Sequence, residues 1–205
     1  MSYRYSSDRS RPGAYHVWGK VKSGLWLFRN DEDRRHFEYL INRRLSAVAQ
    51  TDSRGRPIVS LAGEVGMCAR NLLSSHYHLI LWQKVPGGID RLMRSVLNAY
   101  TSYYHRKYGT QGSLFPGPFR SDQLVGKKRL MWCIAYVNAN HKRERLSWKF
   151  STHRVLLDGA DAPSWIEASK TLKLFGGRPG YERYMERYLE RLELDQRLRI
   201  DNPQF

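Results

Sequence analysis

Residues 75–81 run Ser75-His76-Tyr77-His78-Leu79-Ile80-Leu81. The apolar half of this run predicts a β-strand within His76–Gln83. In a strand, side chains two apart share a face, so both imidazoles can reach one ion. Upstream, the turn chemistry of Ser53-Arg54-Gly55-Arg56-Pro57 precedes another strand within Ile58–Asn71. Before that turn, Phe37, Leu40, Ile41, Leu45 and Val48 recur at helical spacing behind a cap at Asn30 or Asp31. Tyr15–Val21 alternates as a first strand. Downstream, Gly87-Gly88 opens a helix with Ile89, Leu92, Met93, Val96, Leu97, Tyr100 and Tyr104 on one face. A Gly- and Pro-rich loop, Gly109–Pro118, leads to a short strand at Arg120–Val125. A helix follows from Lys127 to about Arg145, with Leu130, Cys133, Ile134 and Val137 as its apolar stripe. The order β-α-β-β-α-β predicts an α+β fold: a ferredoxin-like antiparallel sheet with helices on one face.

The remainder reads as a C-terminal helical extension. It contains a helix around Trp165–Leu174, a break at Gly176-Gly177-Arg178-Pro179-Gly180, and a last helix turning Tyr181, Tyr184, Met185, Tyr188, Leu189 and Leu192 inward. Three parts are expected: a flexible basic tail over residues 1–13, a main domain over 14–150, and the extension over 151–205. A chain of 205 residues suits one compact domain with an appended element.

Charge narrows the partner. Thirty-five Lys and Arg against 19 Asp and Glu give a net +16, which attracts polyanions. Six Trp, 13 Tyr and 7 Phe supply faces on which unpaired bases can stack. No apolar run is long enough to span a bilayer, and the first residues lack the apolar core of a secretory signal. Cys68 and Cys133 form no metal-binding or redox spacing. A cytoplasmic nucleic-acid partner is the expectation, nucleoid-associated when bound, with no membrane role.

Two groups of residues carry possible chemistry. His76 and His78 suit a divalent ion with open positions for a substrate oxygen; taken alone, such a pair is more often two ordinary surface or hydrogen-bonded histidines. Tyr136 and Asn140 stand one helical turn apart on the flank of the apolar stripe, beside Arg129 and Arg143. A tyrosine in that place is, by itself, more often a core-edge residue. Tyr100, Tyr103, Tyr104 and Tyr108 are rival nucleophiles, of which Tyr100 and Tyr104 continue an apolar face.

Several short segments taken in order are more specific than either group. They are Tyr15-His16-Val17, Phe28 to Phe37, Ser75 to Leu81, Ala99-Tyr100-Thr101, Gly112-Ser113-Leu114-Phe115, Phe119-Arg120-Ser121 and Tyr136-Val137-Asn138-Ala139-Asn140, followed by Trp165 to Tyr188 with Phe175-Gly176. Over roughly Tyr15 to Leu192 the chain resembles the single-tyrosine HUH transposases, in particular their REP-associated branch. The resemblance implies metal ligation by His76, His78 and Asn140, with Mg²⁺ or Mn²⁺ as the ion. It implies Tyr136 as the nucleophile, joining the 5′ phosphate as single-stranded or hairpin DNA is cleaved and rejoined. Arg120, Arg129 and Arg143 are the expected DNA contacts, and the protein is expected to be a monomer or a homodimer. Three positions depart from the family pattern. Ser75 stands where Asn is usual, His141 stands where Pro is usual and is itself a rival ligand, and Trp148-Lys149-Phe150-Ser151 replaces a Trp-Ser-Ser stretch. One alternative is a non-catalytic DNA-binding protein derived from a transposase. Another, an RNA-binding ferredoxin-like module, lacks the aromatic RNP-type strand it would need.

Overall fold

The computed structural model describes residues 9–52, 54–143, 148–158 and 162–201, with the side chains of 141–143, 148 and 195–201 outside that description. In chain order the elements are β1 (Gly13–Lys20), α1 (Asp31–Leu45), β2 (Gln50–Thr51), β3 (Pro57–Ile58), β4 (Val65–Leu72), β5 (His76–Gln83), α2 (Gly88–Tyr108), β6 (Arg120–Gln123) and α3 (Lys127–Arg143). A 3₁₀ turn at Trp148–Phe150 leads to α4 (Thr152–Asp158), α5 (Ala168–Leu174) and α6 (Arg178–Asp201).

The main sheet runs β4-β5-β1-β6, every neighbouring pair antiparallel. The first and third strands of the β-α-β-β-α-β unit are central, which is the ferredoxin-like arrangement. Period-two alternation divides the sheet's residues between two cores. Tyr15, Val17, Tyr77, Leu79 and Leu81 join Phe37, Leu40 and Ile41 of α1 and Ile89, Leu92, Met93, Val96 and Tyr100 of α2. On the other face, Ala69 and Ile80 join Cys133, Ile134 and Val137 of α3, with Leu156, Phe175, Tyr181 and Met185 from beyond it. The ferredoxin-like helices α1 and α2 thus cover one face, while α3 and the C-terminal helices cover the other.

A bulge in β4 sets which residues meet α3. Met67 pairs with Leu81 and Ala69 with Ile80, so Cys68 is the extra residue. Beyond it, Asn71 stands opposite His78 on the α3 face, while Arg70 turns to the α1 side and pairs with Glu38 at 2.5 Å. Two large aromatics of β5 lie over cross-strand glycines. Gly19 is opposite Tyr77 and Gly66 opposite Trp82; a Cβ would meet the Tyr77 hydroxyl at 2.7 Å and the Trp82 indole nitrogen at 2.3 Å.

Helix α1 starts with a reciprocal capping box. The Asn30 side chain accepts from the Asp33 backbone N–H at 3.1 Å, and the Asp33 carboxylate accepts from the Asn30 N–H at 3.3 Å. The helix ends at Leu45, because Ser46 adopts an extended conformation. Val48, expected on the buried stripe, is therefore 70 % exposed. The expected helix around Trp165–Leu174 begins only at Ala168. Trp165 and Ile166 are buried, and Ile166 bridges Met67 while the Glu167 N–H donates to the Met67 carbonyl at 2.8 Å. The expected strand at Arg120–Val125 stops at Gln123, and the expected helix end near Arg145 lies outside the described residues.

Within the expected tail, residues from Arg9 on are tied down. The Arg9 guanidinium pairs with Asp90 at 2.7 Å and donates to Ser121 at 2.7 Å, and Gln83 donates to the carbonyls of Arg9 and Arg11. No helix among the described residues is long and apolar enough to cross a membrane.

Candidate active site

The site lies between the α3 face of the sheet and α3 itself. Its floor is set by strand register: Asn71, His78, Trp18 and Arg120 form one cross-strand row, and Ala69, Ile80, His16 and Asp122 the next. His76 stands opposite Lys20 at the end of β1. The His76 and His78 rings are 5.1 Å apart at 86°.

Each imidazole is oriented through its Nδ1. Ser75 Oγ is 3.0 Å from His76 Nδ1, and His16 Nε2 is 2.8 Å from His78 Nδ1. A hydrogen-bonding partner on one ring nitrogen is what fixes the tautomer and direction of a ligating histidine. His16 also stacks on Trp18 at 4.7 Å and on His78 at 5.0 Å. Burial holds the His16 imidazole well below the ordinary histidine range, at about 4, against a smaller opposing pull from Asp122. At neutral pH it is an uncharged ring.

Helix α3 brings Tyr136 over this floor. The Asn71 amide donates to the Val137 carbonyl at 2.7 Å, tying the helix to β4 directly beside the His78 row. Further along, Asn138 donates to the Tyr181 hydroxyl at 2.9 Å, which in turn lies 2.8 Å from His153 Nδ1; Ser151 Oγ donates to the Asn138 carbonyl at 3.1 Å. The Tyr136 ring is then 5.6 Å from His78 at 84° and 6.0 Å from His16 at 80°. One turn earlier, Trp132 lies face-on to Tyr136, 5.6 Å away at 7°, and is itself 52 % exposed. Tyr136 is half-buried.

The sequence-predicted residues fall unevenly. His76, His78 and Tyr136 come together. Asn140 is buried one turn beyond Tyr136 on α3, and among the described residues its side chain makes no hydrogen bond to either histidine. Arg120 is exposed in the His78 row. Arg129 pairs with Asp122 of β6 instead of standing open beside Tyr136. The side chains of Arg143 and of the rival ligand His141 lie outside the described residues. His16, Asn71 and Trp132 join the site without a sequence motif that marks them as its members. The alternation of Tyr15-His16-Val17, with Tyr15 and Val17 in the core, was the available sign that His16 faces the other way.

The rival tyrosines have other work. Tyr100 donates to the Leu27 carbonyl at 2.6 Å and Tyr104 to the Trp26 carbonyl at 2.9 Å. Tyr103 and Tyr108 donate to the Asp33 carboxylate at 3.0 and 2.7 Å. Burial raises the Tyr100 and Tyr108 hydroxyls, Tyr108 to about 12, and the neighbouring Asp33 carboxylate adds to this. These phenols are structural donors.

The donor set fits a divalent ion. Two imidazoles bound to one ion through nitrogen bonds of about 2.1 Å, at roughly a right angle, place their ring centres about 5 Å apart, which is the spacing of His76 and His78. Among the described residues no three His, Cys, Asp or Glu side chains converge as a ligand set, so an ion here would need ligands of another kind beside this pair.

No family description and no curated protein matches the sequence. Among solved structures, one of a REP-associated tyrosine transposase bound to a REP hairpin is similar over 80 % of this chain and 90 % of that one, with a TM-score of 0.53 and 15 % identity. What this chain shares with that protein is its fold, an α+β architecture with a four-stranded antiparallel sheet and C-terminal helices.

Proposed function

We propose that the protein is a DNA strand-transfer enzyme that cleaves and rejoins single-stranded or hairpin DNA through Tyr136. The observation that carries this reading is the placement of the Tyr136 phenol against the imidazole of His78, half-buried, under an exposed tryptophan. The fold likeness supports the same reading, since the similar structure is of a tyrosine transposase on a REP hairpin.

The Tyr136 oxygen attacks the scissile phosphorus and the bond to the 3′ oxygen breaks. The phenol proton is transferred, in net terms, to that leaving oxygen. The protein is left joined to the 5′ phosphate, beside a free 3′ hydroxyl. The phosphotyrosine ester conserves the energy of the phosphodiester, so an incoming 3′ hydroxyl can reverse the step and rejoin a strand without ATP. Mg²⁺ or Mn²⁺ held by His76, His78 and Asn140 would supply polarisation of the phosphate and compensation of its growing charge. His16 keeps the His78 ring in one tautomer and direction, and Asn71 keeps α3 at its height above the sheet. Lys and Arg side chains of a chain with net charge +16 hold the backbone phosphates.

The test is denaturing gel electrophoresis of protein incubated with labelled single-stranded, hairpin and duplex DNA, with Mn²⁺ or with chelator. A metal-dependent covalent adduct on unpaired DNA, lost in Tyr136→Phe while DNA binding persists, is the expected result. Binding with no adduct on any substrate overturns the enzymatic reading in favour of a DNA-binding protein.

A further inference from the structure

Strand β1 runs two residues past its partner β6. The pairing of β1 with β6 ends at Trp18 opposite Arg120, whereas its pairing with β5 continues through Gly19 to Lys20 opposite His76. The loop before β6, residues 115–119, crosses the open end. Between them lies a notch of about 350 Å³ whose walls include Trp18, Lys20, His76, Phe115, Phe119 and Arg120. It adjoins a larger groove of about 700 Å³ across the same loop.

The notch has the chemistry of a nucleotide site. Aromatic rings stand among its apolar walls, beside Val21, Leu97 and two prolines: Phe115 packs edge-on to the buried Tyr77 at 6.4 Å, and Phe119 is backed by the Arg9 guanidinium 4.5 Å over its ring. Arg9 is itself pinned to Asp90 and Ser121, so that wall is held from behind. Lys20 and Arg120, both exposed, flank the opening with positive charge. Its volume is at the low end for small-ligand pockets, roughly 300–1,000 Å³, enough for one nucleotide and too small for a duplex. Flat apolar walls with cations at the rim match an unpaired base with its phosphates, because every base offers a π-face whatever its sequence. His76 on the wall places that base within a nucleotide of the histidine pair.

We infer that this notch receives one unpaired nucleobase of the bound strand, next to the phosphate that is cut, with Lys20 and Arg120 on the flanking phosphates. The inference rests on the proposed DNA-processing function for its position, but base capture is a binding property measurable without cleavage. It makes Trp18, Phe115 and Phe119 the residues that select unpaired over paired DNA at the site.

The experiment uses the full chain in chelator, with a single-stranded oligonucleotide carrying 5-iododeoxyuridine for photo-cross-linking. A fluorescein-labelled single strand, read by anisotropy with intact bases or with abasic spacers, measures binding. The cross-linked peptides are expected to contain Trp18, Phe115 or Phe119. Phe119→Ala and Phe115→Ala should each weaken binding of the intact strand about tenfold, the loss of one stacked base. Neither should change binding of the abasic strand. Phe119 lies in an irregular loop, so its variant tests the idea even if Trp18→Ala fails to fold. Cross-links confined to Trp26 or Trp132, or equal losses on intact and abasic strands, overturn the inference. A wild-type protein that gives these cross-links yet forms no adduct with Mn²⁺ loses the proposed enzymatic function while keeping the base site.

Discussion

Tyrosines packed into the core of the sheet and the tyrosine beside the histidine row sit in contrasting surroundings. On the α1 and α2 face, Tyr100 and Tyr104 are buried among apolar rings, and their hydroxyls are consumed by backbone carbonyls. On the α3 face, Tyr136 is half-buried against His78 and His16. The first group stabilises the fold by satisfying loop carbonyls within the core; the second is held near polar groups where a phosphate can approach. Tyr181, in the core on the α3 side, is buried with its hydroxyl held by Asn138 and His153, so what sets Tyr136 apart is its place beside the histidine row and not the side of the sheet alone.

The largest way to break that contrast is on the α3 floor. His78→Ala should lower single-turnover cleavage by more than about 100-fold, beyond the 10–100-fold usual for partners that orient a ligand. Tyr104→Phe, in the α1 and α2 core, should leave the rate within about twofold, and a comparable loss in both variants would erase the distinction between core and site. His16→Ala should fall between them, roughly 10–100-fold slower, with part of the loss recovered at raised Mn²⁺ concentration. Recovery is the informative readout, since a change that merely loosened the sheet would not respond to metal. Trp132→Ala should slow cleavage about three- to tenfold, the worth of one aromatic stack, with the thermal midpoint nearly unchanged because Trp132 is exposed.

The smallest effect sharpens the contrast from the structural side. Burial by itself would raise the Asp33 carboxyl, but hydrogen bonds from Lys107, Tyr108, Tyr103 and the Arg29 N–H outweigh it and hold the group below its ordinary range. A carboxyl depressed in the folded state stabilises the protein above the unfolded value of about 3.9. That stability is lost as pH falls through the lower, folded value. Asp33→Asn should cost about 1–3 kcal/mol at neutral pH and flatten the dependence of the urea midpoint on pH below about 4, leaving adduct formation at pH 7 intact. A midpoint that falls as steeply in the variant would place the acid sensitivity elsewhere.

Much of this was legible in the sequence, for a physical reason. Burial on one face writes itself as periodicity, so the α2 stripe from Ile89 to Tyr104 and the α3 stripe at Cys133, Ile134 and Val137 could be read directly. The pairing of His76 with His78 follows from strand geometry alone. What periodicity does not encode is which distant residue completes a site. His16 reaches His78 only through the β1–β5 register, and Asn71 faces α3 only because Cys68 is bulged out of β4. Arg129 had the right helix position but met Asp122 across space. Val48 continued the helical spacing of α1 numerically, yet the chain had already left the helix at Ser46.

The central claim is that Tyr136, and no other tyrosine, takes the DNA strand. Protein incubated with Mn²⁺ and hairpin DNA, then digested with nuclease and trypsin, should yield one nucleotide-bearing peptide by mass spectrometry, with the mass addition on Tyr136. A nucleotide found on Tyr100, Tyr103, Tyr104 or Tyr108, or an adduct that forms undiminished in Tyr136→Phe, would contradict the account.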